Sequence, residues 1–357
     1  MSEPTPVHPR AEAVINLIAL EHNIRSIAQL VAPAELMFAV KADAYAHGLV
    51  PVAAAGLSAG AASLAVLEIP AGLALRAAGV TAPLLAWLHG TETDFRAGIE
   101  ADIELGVSAV WQLEAIAASG ANRPAVVHLK VDTGLSRNGA TVEDWPELVR
   151  TALEGERAGH LRIRAAWSHL ADASVADDEV ALAAFQAAVA VAEGLGARFD
   201  LLHLAASSAG IRMPEARFGL VRIGIAAYGI SPFDDRTGAE LGLIPVMSLR
   251  APVIETRVGG SRLARVAAGY ADGVPTLGIE RASVLVNGVR CPVASVEVDS
   301  LLVDAGDARV DVGDVAIVFG AGDEGEPTAE EWADLAETIG DEIVTGVTPR
   351  VPRVYLR

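Results

Sequence analysis

Cysteine is nearly missing. Cys291 is the only one in 357 residues, so no disulfide can close within the chain and a reducing compartment, the cytoplasm, is expected. Positive charge is also scarce. Lys and Arg number 27 against 46 Asp and Glu, for a formal net charge of −19. That balance argues against nucleic acid or an anionic membrane surface as a partner. The opening stretch MSEPTPVHPRAE carries acidic residues and prolines and has no apolar signal-peptide core. One uncharged run, Gly48 to Leu67, matches a membrane span in length. It is mostly Ala, Gly and Ser, with Pro51 near its start, and reads as a small-residue helix followed by a strand over Ser63–Leu67. No membrane association is expected.

What is present is apolar material in regular order. The chain is 52% hydrophobic, and its length suits one large α/β unit plus a smaller one. Leu17, Leu20, Ile24, Ile27 and Val31 recur every three or four residues after Asn16, which predicts a helix that Pro33 stops. Eight strand-like runs then alternate with Ala-rich helical stretches: Leu36–Lys41, Ser63–Leu67, Pro83–Trp87, Asp102–Val107, Ala125–Asp132, Ile163–His169, Asp200–Ala206 and Leu220–Ile225. Strand–helix alternation of this kind predicts an α/β fold, a TIM-type (β/α)8 barrel, over residues 13–235. From Pro245 the texture is β-rich. Asn287-Gly288 between two apolar runs signals a hairpin, VDVGDVAIVFG suggests a further strand pair, and Thr328 with Glu331 reads as a capping box opening a helix that buries Trp332, Leu335 and Ile339. A mostly β C-terminal domain is therefore expected over 236–357, with residues 1–12 joining it.

The working face of such a barrel lies at the C-terminal ends of its strands. Lys41 ends the first run, Lys130, Asp132 and Arg137 lie at and after the fifth, His169 ends the sixth, Ser207 follows the seventh, and Arg222 with Gly224-Ile225 stands in the eighth. Each has an ordinary explanation alone: a core histidine, a structural ion pair, a turn glycine, a lysine reaching for water. Their convergence at one end of a barrel points instead to a pocket.

Several stretches resemble the alanine racemase family. AVKADAYAHG, LAVLEIPAGLALRAAGV, HLKVDTGLSRNG, VRIGIAAYGISP, GYADG and RVPR match its motifs in order over nearly the whole chain. The resemblance implies a barrel with a C-terminal β domain, pyridoxal 5'-phosphate as cofactor, a small amino acid, most simply alanine, as substrate, and a homodimer that shares its sites. It implies that Lys41 carries the cofactor and acts as base at the α carbon, its apolar setting favouring the neutral amine. Tyr45, Ser207 and the amides of Gly224 and Ile225 would hold the phosphate. His169 would lie beside the pyridine ring. Arg222 would face the pyridine nitrogen, where a permanent cation keeps that nitrogen unprotonated and suits α-proton exchange. Lys130 would be carbamylated and hold Arg137, which would meet the cofactor phenolate and the substrate carboxylate. Tyr270 would line the entrance, and Asp299 is the kept acid of VEVDS.

The resemblance also breaks. The family's second catalytic base is a tyrosine in a Ser-Tyr-Gly stretch before GYADG, contributed by the partner subunit. Here that region reads ETRVGGSRLARVAAGYADG, and the chain's four tyrosines are Tyr45, Tyr228, Tyr270 and Tyr355. Glu297 and Val298 replace the usual Cys and Met, Pro349 stands where some members have a tyrosine, and Ala206 replaces a common Asn. Three readings follow: a racemase with a substitute second base such as Tyr270; another pyridoxal-phosphate reaction on an amino acid, a decarboxylation or a lyase step, with Glu297 reshaping the substrate end; or a non-catalytic paralogue that binds the cofactor.

Overall fold

The computed structural model describes residues 10–260 and 262–357, Gly259 by its backbone alone. Of the N-terminal segment expected to join the β domain, residues 1–9 lie outside the described residues. The described chain begins with strand β1 (Glu12–Asn16) and runs directly into the helix Leu17–Val31. Asn16 Oδ1 accepts the Ala19 N–H at 3.0 Å and so caps the first turn. All five residues of the apolar stripe read from the sequence are buried.

The eight apolar runs are the eight strands of a parallel barrel: β2 (Glu35–Ala39), β3 (Ser63–Val66), β4 (Leu84–Ala86), β5 (Ile103–Val107), β6 (Ala125–Lys130), β7 (Leu161–Trp167), β8 (Leu201–His203) and β9 (Leu220–Ile223). From β2 to β8 each pairs with the next, and β2 pairs with β9. The remaining seam is crossed by Gly219 N–H to Leu202 O at 3.3 Å and Arg222 N–H to Ala205 O at 3.0 Å. Being buried on both faces, these strands read as continuous apolar runs rather than alternating ones. Met37, Ala65, Leu85 and Leu220 pack together in the barrel. Gly106 on β5 makes room for two indoles, since a Cβ there would stand 2.9 Å from the Trp87 Cβ and 3.1 Å from the Trp167 ring. The uncharged run resolves into the helix Leu49–Ser58 and β3, and among the described residues no helix is long and apolar enough to cross a membrane.

The C-terminal strands are β10 (Met247–Thr256), β11 (Leu263–Val266), β12 (Ser283–Val286), β13 (Val289–Val296), β14 (Leu301–Asp304), β15 (Val315–Phe319) and β16 (Arg353–Leu356). Strands β10, β11, β14, β13, β12 and β15 close an antiparallel ring, and β1 joins its edge between β10 and β16. Asn287 and Gly288 both take positive φ, 50° and 76°, as the tight hairpin requires. Two local expectations differ from the structure. VDVGDVAIVFG contributes one strand, because Asp314 folds the stretch before it into a turn by accepting the Asp311 N–H at 2.8 Å. The helix Ala329–Leu335 is capped by Thr328 and buries Trp332, but Ile339 is 58% exposed, because Glu337 at φ 55° turns the chain before it.

By contact density the chain forms two compact units. One comprises the segment ending at Asn23, Ala42–Gly48 and Tyr228–Arg357; the other comprises Ile24–Lys41 and Leu49–Ala227 and holds the barrel.

Candidate active site

Lys41 is half-buried just past the end of β2. The five residues after it, Ala42, Asp43, Ala44, Tyr45 and Ala46, all have φ between 51° and 61°. They form a left-handed helical turn, closed by Ala46 N–H to Ala42 O at 2.9 Å and Gly48 N–H to Asp43 O at 2.9 Å. For L-residues this conformation costs about 1–2 kcal/mol each, so its neighbours must hold it. Within the β-rich unit Arg353 Nε donates to Ala46 O at 2.8 Å, and the Tyr355 hydroxyl donates to His47 O at 3.2 Å. His47 is fully buried, with Nδ1 2.7 Å from Tyr45 O, and burial pushes its pKa down to about 4. Tyr45 lies 4.8 Å from the Tyr228 ring, and burial pushes its phenol up, Asp341 adding to the shift. Neither the handedness of this turn nor its clamp by the second arginine of RVPR is visible in local sequence.

Inside the barrel unit the strand ends bring cations together. Arg222 on β9 is buried; it donates to Ser168 O and Leu204 O, both at 2.8 Å, to His169 Nδ1 at 3.1 Å and to His203 Nδ1 at 2.9 Å. Burial, then the charge of Arg137, pushes its pKa down to about 9, which still leaves it charged at neutral pH. His169 is held well below the ordinary imidazole range, first by burial and then by Arg222, Arg137, Lys130 and Lys41. Four of the five sequence-selected cation and imidazole positions thus act on the fifth. Lys130, at the end of β6, is 3% exposed. Its ammonium sits 4.6 Å from the Trp167 ring centroid and donates to Asn138 Oδ1. Burial, Arg222 and Arg137 push its pKa down to about 7, against a smaller opposing effect of Asp132. The Val131–Ala140 bridge closes the intervening loop and brings Asn138 back to Lys130; Asp132 Oδ1 shapes that loop by accepting the Gly134 and Ser136 N–H groups.

Ser207 opens the helix Ser207–Arg212, and its Oγ accepts the Gly224 N–H at 3.1 Å, so two sequence-selected groups meet at one point. Ile225 begins the 3-10 turn that follows. Tyr270 and Asp299 belong to the β-rich unit. There Gly269 lies against Glu297–Ser300, where a Cβ would stand 2.4 Å from Glu297 O, and Tyr270 N–H donates to Glu297 O at 3.0 Å. The Tyr270 and Asp299 side chains are exposed. The Glu297 carboxylate is bound by Arg265 at 2.5 Å and Ser300 Oγ at 3.0 Å, which hold its pKa down. Asp272 of GYADG pairs with Arg350 at 2.9 Å, joining two motifs that lie far apart in sequence.

Buried polar residues that the sequence did not single out sit beneath Arg222. His203 and His128 open the stretches HLAASSAG and HLKVDTGLSRNG, and Glu104 lies on β5; all three are buried. The available signal was a histidine in each of two otherwise apolar strands.

A parallel barrel whose strand ends seat a buried arginine against His169, with Lys41, Lys130 and Arg137 near enough to act on that imidazole, has the layout of a barrel enzyme. Comparison with known proteins narrows this class. The description "Alanine racemase, N-terminal domain" matches residues 15–232, and "Alanine racemase, C-terminal domain" matches residues 253–355. An alanine racemase of Thermobifida fusca (strain YX) is 43% identical over 368 positions, covering 97% of this chain and 98% of the relative. One of Mycolicibacterium smegmatis is 41% identical over 382 positions, covering 100% and 97%. The crystal structure of alanine racemase from D-cycloserine-producing Streptomyces lavendulae superposes with a TM-score of 0.94 at 39% identity, covering 100% of this chain and 98% of that one. The chain belongs to the alanine racemase family, and it is an enzyme of the isomerase class. Agreement over the full length favours racemase activity over the decarboxylase, lyase and non-catalytic readings. An alignment of 368 positions against 357 residues also requires at least eleven residues in the T. fusca enzyme with no counterpart here.

Proposed function

We propose that this protein is a pyridoxal 5'-phosphate-dependent racemase that interconverts L- and D-alanine, working as a homodimer in the cytoplasm. The observation that carries the reading is the buried Arg222 held 3.1 Å from His169 Nδ1 at the strand ends, with Lys41, Lys130 and Arg137 near enough that their charge bears on the same imidazole. Cations so grouped suit a ligand that carries a phosphate, a phenolate and a carboxylate. The donor set fits as well. Lys41 carries a primary amine, Arg222 is a fixed cation, and Ser207 and Gly224 form a hydroxyl–amide pair.

When bound, the cofactor supplies an electron sink for the pair left on the α carbon as its proton departs. The rest falls to the chain. Lys41 Nζ holds the cofactor and moves the proton at one face of the α carbon. Ser207 Oγ, the Gly224 and Ile225 amides and Tyr45 bind the phosphate. His169, kept neutral, offers a flat face to the ring without adding a fifth charge. Arg222 faces the ring nitrogen, and Arg137 orients the substrate carboxylate. Lys130, only partly protonated near pH 7, can in its neutral form add carbon dioxide through its nitrogen lone pair, releasing a proton and becoming an anion that pairs with Arg137. Tyr270 and Asp299 act at the substrate entrance. In this reading residues 13–235 carry the cofactor, and residues 236–357 with 1–12 form the β domain that covers a partner's barrel.

The test is direct. The purified protein should show a visible absorption band, and borohydride should fix the cofactor to Lys41. Lys41→Ala should lose both signals, and label on any other lysine would overturn the assignment.

A further inference from the structure

Beneath Arg222 a hydrogen-bonded line runs across five consecutive barrel strands. Arg222 Nη1 meets His203 Nδ1 at 2.9 Å on β8, His203 Nε2 meets His128 Nδ1 at 2.9 Å on β6, and His128 Nε2 meets Glu104 Oε2 at 2.7 Å on β5. The other Glu104 oxygen accepts from Arg164 on β7. Both imidazoles are fully buried.

The polarity of this line is forced from its two ends. A guanidinium only donates, so His203 Nδ1 must accept, and its proton sits on Nε2. That N–H leaves His128 Nδ1 to accept, so the proton of His128 also sits on Nε2 and goes to Glu104, a carboxylate that only accepts. Burial, with Arg222 and Arg164, holds both imidazoles below their ordinary range, although the Glu104 carboxylate opposes the shift at His128. Trp167 locks the geometry by stacking on His203 at 5.4 Å and 14°, while its Nε1 donates to His128 O at 3.2 Å.

We infer that Glu104 and His128 are positioning residues for the reaction: they fix the tautomer of His203, so that its Nδ1 lone pair, rather than an N–H, faces Arg222 and holds that guanidinium in place. This rests on the reading of Arg222 as the partner of the cofactor nitrogen. Without the carboxylate end, His203 is free to adopt the other tautomer, and two donors then face each other inside a dry barrel. Arg222 would have to move, and with it the cation that tunes the ring. The relay differs from packing in one respect: it depends on which atom carries a proton, not on volume.

His128→Leu breaks the line, whereas His128→Gln keeps an acceptor toward His203 and a donor toward Glu104. Nuclear magnetic resonance of the imidazole nitrogens in the holoenzyme reads the tautomers directly. His203 should show protonated Nε2 and bare Nδ1 in the parent and in H128Q, and lose that pattern in H128L. The visible band should shift in H128L and not in H128Q. The H128L kcat should fall about 10- to 100-fold with KM little changed, the range seen when the outer partner of a metal-bound histidine is lost. A protonated His203 Nδ1 in the parent overturns the inference. So does an H128L variant that loses only thermal stability and keeps the band and kcat. Arg222→Leu distinguishes a failure of the Arg222 placement from a failure of the relay alone. If it leaves the band unmoved, the placement of Arg222 at the cofactor fails, and the inference with it. If it moves the band while H128L does not, only the relay fails.

Discussion

Lys130 shows how one side chain becomes reactive through its surroundings. It lies on an apolar strand beside Trp167, Arg222 and Arg137, and these bring its pKa to about 7 from the ordinary 10.5. The folded state then binds fewer protons than the unfolded state between those values, so stability rises with pH across that window. The cost of the buried ammonium is complete below about 7 and gone by about 10.5. Chemical denaturation in carbon-dioxide-free buffer should show this rise, and Lys130→Met should flatten it. Bicarbonate should flatten it as well in the parent protein, because a carbamate no longer titrates as an amine. An identical slope in all three would show that Lys130 is not a strained amine. The sequence reading selected Lys130 and Arg137, but the Asn138 that accepts from Lys130 depends on how the loop closes.

At the scale of elements, the left-handed turn after Lys41 departs furthest from what local sequence dictates. Ala, Asp and Tyr disfavour positive φ, and five such residues in succession are sustained only because Arg353 and Tyr355, more than 300 positions away, bind the turn's carbonyls. The strain is local and can be relieved. Ala42 is exposed, so Ala42→Gly removes its Cβ penalty at little packing cost. Weighing about 1–2 kcal/mol of relief against about 0.4–1 kcal/mol of added unfolded-state entropy, we expect a net gain of up to about 1.6 kcal/mol. Reversible denaturant melts would measure it, and a loss of more than about 1 kcal/mol, as expected for glycine inside a right-handed helix, would contradict the handedness. Arg353→Met should have the opposite effect, lowering stability and the affinity for cofactor together. The barrel strands needed no such help: their apolar runs coincide with the parallel strands because burial on both faces leaves no other use for them.

For the whole molecule, the decisive feature is a tyrosine that the family resemblance leads one to expect and this chain lacks. No tyrosine occupies the region before GYADG, and the T. fusca alignment contains residues absent here. With Lys41 as sole base, the α proton should exchange with solvent faster than the centre inverts, since loss of one positioned acid–base group costs ~10²–10⁴ in rate. Incubation with L-alanine in deuterated water, following proton loss and chirality separately, gives the comparison. If Tyr270 has taken over the second face, Tyr270→Phe should abolish inversion and spare exchange; if it only lines the entrance, both rates should fall together. Equal, rapid exchange and inversion untouched by that change would mean another group serves as second base. We further expect a homodimer burying more than about 2,000 Å², because a site that handles a carbanion must exclude water. Light scattering of cofactor-loaded protein at micromolar concentration should return twice the chain mass, and a monomer would refute the shared site.

Much of this was settled by sequence alone, where the information is local. The spacing of Leu17, Leu20, Ile24, Ile27 and Val31, the eight apolar runs, the Asn287-Gly288 hairpin and the Thr328 cap each depend on neighbours within a few residues, and each forms as its pattern dictates. Strand order around a parallel barrel then carries Lys41, Lys130, His169, Ser207 and Arg222 to one end, so their shared placement was legible before their contacts. Tertiary structure alone decided the rest. Which proton sits on His203 depends on a carboxylate 99 positions earlier on another strand, and the handedness of the turn at Lys41 depends on the last strand of the chain. Ile339 lies outside the core because the helix before it ends a turn early. The physical reason is the same in each case: propensity and patterning act over single elements, whereas a strained backbone or a buried proton is stable only when groups distant in sequence converge to satisfy it.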